Sequence, residues 1–407
     1  MTLARQPPKR DNVAPRNTLK FHCAISDDES SDDATQRVID ESQAGLDADT
    51  DLAFLFFTAH HRDAAERIVE RLWLELDAQC LVGCAAEGVI GADREIEREP
   101  GVALLTAAVP GVRLHPFHIA GEDAWRDLLS DGQALRDRFG AGEQTRAIIA
   151  FGDPFTTPVG QLFRALEDEI PGLPIIGGLA SAARQPGQNI LVRNDEIYDE
   201  GMVGVSLSGP IAVETIVSQG CKPIGSPMII TRSRDNIIEQ LGGKPPLQML
   251  REIVTDMSEA DQQLLQNGLM LGQAMSEYRD KFGRGDFVVR NIIDIDEGTG
   301  AVAVADYVKT GQTVQFHVRD AQTADEDLMR MLEPQQNAEP AAGGLLFSCN
   351  GRGVNMFPKP CHDISIAQRT MPATPMAGFF AAGEFGPVGG KNFIHGHTAS
   401  FALFRSR

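Results

Sequence analysis

Apolar runs alternate with amphipathic stretches along most of the chain. "DLAFLFFTA" (51–59), "RAIIAFGD" (146–153) and "LPIIGGLASAA" (173–183) are apolar runs of strand length. Such runs are typical of strands that are covered on both faces. After the first run, "RDAAERIVERLWLELDA" (62–78) places apolar residues at helical spacing. A further apolar run, "CLVGCAAEGVIG" (80–91), follows this helix, and a strand–helix–strand unit of this length favours a parallel pair of strands.

The pattern changes after about residue 241. "PPLQMLREIVTDMSEADQQLLQ" (245–266) predicts a helix that begins at its prolines. Residues 286–320 predict three antiparallel strands with turns at 297–300 and 309–312, and Asn194–Asp195 predicts an earlier hairpin turn. We therefore expect an α/β fold, α+β in its C-terminal part, with mixed sheets, strand–helix–strand units and two related regions. The expected divisions are a flexible tail at 1–17, an N-terminal domain at 18–241 and a C-terminal domain at 242–407.

Three segments share one local form. "LVGCAAEGVIG" (81–91), "IIGGLASAA" (175–183) and "GFFAAGEFGP" (378–387) each run from an apolar strand into Gly and Ala or Ser. Duplicated strand–turn units would produce this similarity. Chance would also produce it, because the chain contains 40 glycines.

Composition narrows the range of partners. The 407 residues carry a formal net charge of -20, and 42% of them are hydrophobic. This charge argues against general nucleic-acid binding and against an anionic membrane as partner. The sequence has no apolar run long enough for a transmembrane helix and no signal-peptide core, and its six cysteines are too few for a disulfide framework. We expect a cytoplasmic protein with free thiols.

Two glycine-rich segments carry the residues most suited to chemistry. In "FSCNGRG" (347–353), Cys349 precedes glycines that allow a ligand to approach backbone N–H groups, and Arg352 offers a fork for an anion. The alternative is a tight turn with a solvated arginine and a packed cysteine. In "GEFGPVGGKNFIHGHT" (383–398), His395 and His397 would point to the same face if they lay in a strand.

The chain resembles the FIST proteins, named for F-box and intracellular signal transduction proteins. The resemblance covers residues 18–405. It rests on "GCAAEGVIG", "PIIGGLASAA", "SQGCKPIGSP", "FSCNGRG" followed by "HD" (362–363), and the segment 378–404, in this order. The resemblance implies an N-terminal and a C-terminal FIST domain that act as a sensory module for small molecules such as amino acids. Because the chain has no room for an output domain beyond the FIST regions, the resemblance implies that the protein signals through a partner protein or senses a molecule for another purpose.

We therefore expect a small-ligand-binding sensory protein, with an anionic or zwitterionic metabolite as ligand and with no catalytic or metal-binding residues. The predicted ligand-binding residues are Cys349, Asn350, Arg352, Glu384, His395 and His397. We predict no firm cofactor. One alternative, which the resemblance implies, is a haem-based nitric oxide sensor with His317, His395 or His397 as ligand. The other is a Cys349-dependent enzyme with His362 or His395 as base and Asp363 or Glu384 as orienter.

Overall fold

The computed structural model describes residues 18–278, 281–283 and 285–407. The tail expected at 1–17 lies outside this part of the chain. The described fold consists of three units with the same order of strands and helices, together with one six-stranded barrel. Within it, no helix combines the length and the apolar character that a membrane crossing requires.

The first unit starts with a strand that leads into a capped helix. Ser30 caps this helix by accepting a hydrogen bond from the backbone N–H of Asp33. The elements in chain order are β1 (Lys20–Ser26), α1 (Ser31–Leu46), β2 (Leu52–Thr58), α2 (Ala65–Leu76), β3 (Cys80–Ala86), β4 (Gly88–Gly91), β5 (Arg94–Glu97) and β6 (Val102–Ala108). Strands β2 and β3 are parallel neighbours, which confirms the predicted strand–helix–strand unit.

The second unit repeats this order with two short helices in place of α1. Its elements are β7 (Arg113–Ile119), α3 (Glu122–Ser130), α4 (Gly132–Arg138), β8 (Thr145–Gly152), α5 (Val159–Glu169), β9 (Ile175–Leu179), β10 (Leu191–Arg193), β11 (Glu196–Tyr198) and β12 (Met202–Ser208). Strands β8 and β9 are parallel. The hairpin predicted at Asn194–Asp195 is confirmed, because β10 and β11 pair across that turn.

The third unit is interrupted after its first strand, β13 (Ile211–Gln219), by the barrel. The barrel segment contains β14 (Cys221–Arg234), β15 (Ile237–Leu241), α6 (Pro246–Asp256), α7 (Glu259–Leu264), β16 (Leu269–Ala274), β17 (Phe287–Ile295), β18 (Val302–Val304) and β19 (Thr313–Arg319). The unit then resumes with α8 (Ala321–Leu332), β20 (Gly343–Cys349), α9 (His362–Thr370), β21 (Met376–Ala381), β22 (Glu384–Val388), β23 (Lys391–His395) and β24 (Thr398–Ser406). Strands β20 and β21 are again parallel.

In each unit, a two-stranded hairpin (β4–β5, β10–β11 or β22–β23) pairs with the sheet of another unit. The three sheet orders are β1-β6-β2-β3-β10-β11, β7-β12-β8-β9-β22-β23 and β13-β24-β20-β21-β4-β5. The last two strands of every sheet therefore come from a different unit. The three units are interlocked, since none of them completes its own six-stranded sheet.

One glycine in each unit lies at the same topological position. Gly83, Gly177 and Gly378 each face the parallel neighbour strand, and a Cβ atom there would lie 2.0, 1.8 and 1.7 Å from a carbonyl oxygen of that strand. Only glycine permits so close an approach. These glycines belong to the three similar segments in the sequence, and their equivalent positions support duplication over chance.

The core lies where the three sheets meet. Phe56, Phe151 and Phe347 come one from each sheet, and their ring centroids lie 5.3, 5.9 and 6.4 Å apart. The outer faces of the sheets are covered by α1 and α2, by α3 to α5, and by α8 and α9. The apolar strands are thus covered on both faces, as their composition predicts.

The α/β fold class with mixed sheets is confirmed, and the two expected regions resolve into three units and a barrel. The three strands predicted at 286–320 are present as β17, β18 and β19. Strand β17 pairs antiparallel with β18, whereas β19 pairs antiparallel with β14 and β16 and not with β18. The predicted helix at 245–266 is divided, because Ser258 caps a second helix, α7. The domain boundary at 241/242 stays a prediction; residue 241 is the last residue of barrel strand β15.

Candidate functional site

Two loops of the third unit meet where the barrel joins it. They are the loop after β20 and the turn between β23 and β24. Nη1 of Arg352 lies 3.5 Å from the carbonyl oxygen of His397, and Arg319, the last residue of β19, donates a hydrogen bond to the carbonyl oxygen of Gly351. Gly220, between β13 and β14, packs against the same carbonyl group, since a Cβ at Gly220 would lie 2.5 Å from the carbonyl oxygen of His397. We call this set of contacts the junction network.

Arg352 is fully buried and is bound by a carboxylate of the same chain. Its Nε and Nη2 donate to Asp363 over 2.8 and 2.7 Å. Asp363 also accepts from Ser348 Oγ at 2.6 Å. Burial alone would raise the pKa of Asp363, but the Arg352 guanidinium holds that pKa well below its ordinary range. The guanidinium group of Arg352 thus binds Asp363 and positions the loop after β20, and its pairing with a ligand stays a prediction.

Glu384 is the first residue of β22 and is completely buried. Its Oε2 accepts a hydrogen bond of 2.7 Å from Thr398 Oγ1, and the Cys349 thiol is a weak additional partner of the carboxyl group. No other hydrogen-bond partner of its Oε1 is present among the described residues. Burial raises the pKa of Glu384 to about 8. The carboxyl group is accordingly protonated in most molecules at neutral pH and can act as a hydrogen-bond donor.

Cys349 is the last residue of β20 and is also buried. Its sulfur lies 3.5 Å from the backbone nitrogen of Gly351. Burial, and after it the neighbouring Glu384 carboxyl, raise the pKa of the Cys349 thiol well above its ordinary value. A cysteine nucleophile requires the opposite shift, so this geometry does not favour the Cys-dependent enzyme.

The two histidines do not share a face of a strand. His395 ends β23, and its Nε2 donates a hydrogen bond of 2.9 Å to the carbonyl oxygen of Gly386 on β22. His397 lies in the following turn with a left-handed φ of 60°. The same-face expectation is thus corrected, because strand alternation ends at His395. Burial lowers the pKa of both imidazoles to about 4, so both are neutral at pH 7.

His397 connects the turn to the barrel. Its Nε2 lies 3.2 Å from Oδ1 of Asn291 on β17, and its Nδ1 is buried with no partner among the described residues. The barrel makes a second contact nearby, where Nη1 of Arg290 donates to the carbonyl oxygen of Ile394 over 2.5 Å. Both contacts tie the barrel to the last hairpin of the third unit.

The structure therefore brings four of the six predicted residues into one network and leaves two at its margin. Cys349, Arg352, Glu384 and His397 are joined by the contacts above. His395 lies opposite Glu384 in the β22–β23 register, but its side chain bonds to Gly386 and holds that hairpin together. Asn350 donates its backbone N–H to Ala381 and lines a separate small hollow with Glu97, Arg98 and Asn355.

Comparison with known protein families matches residues 51–244 to the FIST N domain and residues 246–387 to the FIST C domain. The chain belongs to the FIST family. It is 39% identical over 356 residues to the uncharacterized protein MT0656 of Mycobacterium tuberculosis (strain CDC 1551 / Oshkosh), and the match covers 87% of this chain and 91% of that protein. It is also 39% identical over 357 residues to the uncharacterized protein Mb0898c of Mycobacterium bovis (strain ATCC BAA-935 / AF2122/97), with 87% and 90% covered.

One solved structure resembles this FIST chain weakly. The crystal structure of cyanuric acid hydrolase from A. caulinodans covers 96% of this chain and 99% of its own. The sequence identity is 8% and the TM-score is 0.36. A similarity at this level carries no argument about fold or activity.

The three histidines expected as haem ligands do not fit that role in this structure. A haem ligand needs a ring nitrogen that faces open space, whereas the rings of His317 on β19 and His395 on β23 are both buried. His317 Nδ1 lies 3.0 Å from the carbonyl oxygen of Gln315, and a Cβ on Gly272 would lie 2.5 Å from the ring. The free Nδ1 of His397 faces Gly351, where a Cβ would lie 3.1 Å away. In the described part of the chain, no three His, Cys, Asp or Glu residues are arranged to hold a metal ion.

Sequence reasoning missed a cleft between the second unit and the barrel. This cleft, which we call the α5–barrel cleft, has a volume of 540 Å³ and lies between α5, β23 and the barrel strands β16 and β17. Polar residues that line it include Arg164, Gln273, Arg290 and Lys391. Of these, only Lys391 lies in one of the two glycine-rich segments that the sequence marks as suited to chemistry. No local signal marks the others, because they come from distant parts of the chain.

Proposed function

We propose that this FIST protein is a sensory protein that binds a small anionic or zwitterionic metabolite, such as an amino acid, and signals through a partner protein. Its family supports the general class, because FIST domains are associated with signal transduction and small-ligand sensing. The ligand and the partner are the specific part of the proposal. The junction network is the part of the molecule that responds to the ligand.

One observation carries this proposal. Glu384 Oε1 and His397 Nδ1 are both buried without a strong hydrogen-bond partner among the described residues, and both lie at the point where the barrel joins the third unit. Leaving a buried polar atom unpaired costs about 1–3 kcal/mol. Eleven side-chain atoms of the described residues are buried in this way, and three of them, in Glu384, His397 and Arg319, lie at this junction. Each such group in a native protein needs an explanation, and a functional role is one of them. A network with unpaired polar atoms between the barrel and the third unit can form new hydrogen bonds when one of these two parts moves.

The contacts show how binding would be transmitted. The turn that contains His397 touches Arg352 on one side and barrel residue Asn291 on the other. A ligand that shifts the barrel against the third unit would break or strengthen the His397–Asn291 contact. The new arrangement of the loop after β20 would then be available to a partner protein.

Isothermal titration calorimetry with the twenty amino acids and a set of small carboxylic acids tests the proposal. We expect at least one compound to bind wild type and to raise its melting temperature, since a ligand that binds only the folded state stabilises it. We expect His397→Asn to change the affinity for that compound, whereas His60→Asn at an exposed histidine leaves it unchanged. If no compound of either class binds, the proposed function is refuted.

A further inference from the structure

We infer that the ligand of the sensor occupies the α5–barrel cleft, not the junction network, and that it is a small carboxylate with an apolar body. This inference rests on the proposed function and names its binding site and ligand class. The reason to separate the two places is accessibility. Cys349, Arg352 and Glu384 are buried inside the network, whereas the α5–barrel cleft holds 540 Å³, which is in the usual range of about 300–1,000 Å³ for ligand pockets.

A buried amide supplies the first element of recognition. Gln273 on β16 lines the cleft and is only 7% exposed. Its Nε2 has no hydrogen-bond partner among the described residues. An amide nitrogen donates two hydrogen bonds and accepts none. The group that completes this site must therefore be an acceptor, such as a carboxylate oxygen.

The charges of the cleft favour an anion. Three cations line it, and two of them face carboxylates: Arg290 Nε lies 2.7 Å from Asp306, and Lys391 Nζ lies 4.0 Å from Glu167. Glu167 Oε2 is itself buried without a hydrogen-bond partner among the described residues, so a donor group on the ligand would bind at that end. Arg164, on the exposed face of α5, makes no ion pair with a described residue. The lining is thus slightly positive on a chain with a net charge of -20. Arg164 is the cation available to bind a carboxylate through two parallel hydrogen bonds.

Apolar side chains form much of the remaining wall, and the polar side chains of Thr157, Gln312 and Asn392 beside them already bond to the backbone. Phe163 from α5 and Phe393 from β23 line the cleft together with Leu179 and Val288. A ligand that filled this space with polar atoms would leave them without partners. The body of the ligand is therefore apolar, with the carboxylate directed toward Gln273 and Arg164.

The cleft is also connected to the junction network. Arg290 belongs to the cleft lining and donates to the carbonyl oxygen of Ile394, which lines the cleft as well. His397 follows three residues later and contacts Asn291, the neighbour of Arg290. A ligand that moves Arg290 would thus act on both contacts between the barrel and the last hairpin.

The test is calorimetric titration with 3-phenylpropionate and 4-methylpentanoate as probes and with 3-phenylpropan-1-ol as the uncharged analogue. Wild type should bind both acids and should bind the alcohol at least about tenfold more weakly, because the alcohol cannot form charged hydrogen bonds with Arg164. Arg164→Gln and Gln273→Met should each weaken the binding of the acids by about tenfold. Arg67→Gln, an exposed arginine on α2, is the matched control and should leave the affinity unchanged.

The outcomes separate this inference from the proposed function. If an amino acid or another acid binds and Arg164→Gln does not weaken it while His397→Asn abolishes it, the site lies in the network and the inference is overturned. Equal affinity for the acid and the alcohol would overturn the ligand class. Arg164 is exposed on its helix, so Arg164→Gln remains informative should Gln273→Met fail to fold. If neither probe binds wild type, the inference fails even where the amino-acid titration succeeds.

Discussion

Replacing Glu384 with glutamine should stabilise this protein in a pH-dependent manner. Glutamine has the shape of the protonated glutamate and can still accept the hydrogen bond from Thr398. Because burial raises the pKa of Glu384 to about 8, the folded protein holds a proton that the unfolded chain releases above its ordinary pKa of 4.5. Between these two values, rising pH therefore weakens the wild-type fold.

The magnitude follows from the size of this shift. At pH 7 the unfolded state lies about 2.5 pH units above the ordinary pKa, and each unit corresponds to about 1.4 kcal/mol. The free energy of unfolding of wild type should thus be about 3 kcal/mol lower than that of Glu384→Gln at pH 7, but only about 1 kcal/mol lower at pH 5. The stability difference between the two proteins should grow steadily across this range.

Urea unfolding at pH 5, 6, 7 and 7.5, followed by circular dichroism, measures this difference. Wild type, Glu384→Gln and Glu70→Gln should be compared in the same buffers. Glu70 is exposed on α2, so its variant corrects for the loss of one carboxylate from an acidic chain. Other titrating groups, such as His395 and His397, cancel because they are present in all three proteins.

A stability difference that stays constant with pH would refute this reasoning. It would show that the pKa of Glu384 in the fold is not raised above its ordinary value, and hence that its burial is relieved by water or by a partner group. A difference that grows toward acid pH would show that Glu384 is ionised in the fold. Either result would also remove Glu384 as an uncharged donor in the junction network.

Three further predictions test the fold and the network. Gly378→Ala should lower the melting temperature strongly or prevent folding, because its Cβ would lie 1.7 Å from a carbonyl oxygen of β20. Gly142 lies in open space, so Gly142→Ala should leave the melting temperature unchanged. Equal melting temperatures of the two variants would contradict the close approach at Gly378. Asp363→Asn should cost about 3–5 kcal/mol in urea unfolding because it leaves Arg352 buried without its charge partner, and a cost below 1 kcal/mol would refute that pairing. Cys349 should resist iodoacetamide at pH 8 in the native protein and react after denaturation, as peptide mass spectrometry would show. Rapid labelling of Cys349 in the native protein would instead support the Cys349-dependent enzyme.

Local pattern was enough to predict many of the elements. The apolar run at 51–59 and the amphipathic stretch after it become β2 and α2, and β3 follows as the parallel neighbour. The turn at Asn194–Asp195 forms as predicted. These predictions succeed because alternation and helical spacing depend on neighbouring residues only.

Pairing between distant segments was not predictable in the same way. The turns at 297–300 and 309–312 suggested consecutive strands, yet β19 lies between β14 and β16. The hairpins after β3, β9 and β21 each leave their own unit. A hairpin shows the same sequence pattern whichever sheet it joins, so its partner is decided by the packing of the whole chain.

The candidate site divides along the same line. Sequence alone determined the family, the α/β class and the gathering of chemically useful residues in 347–353 and 383–398, since these depend on residue identity and order. Tertiary structure alone decided that Arg352 is bound by Asp363, that Glu384 keeps its proton and that Gln273 and Arg164 share a cleft with Lys391. The physical reason is that burial, charge pairing and cavity shape are set by side chains from segments far apart in sequence, and these meet only in the fold.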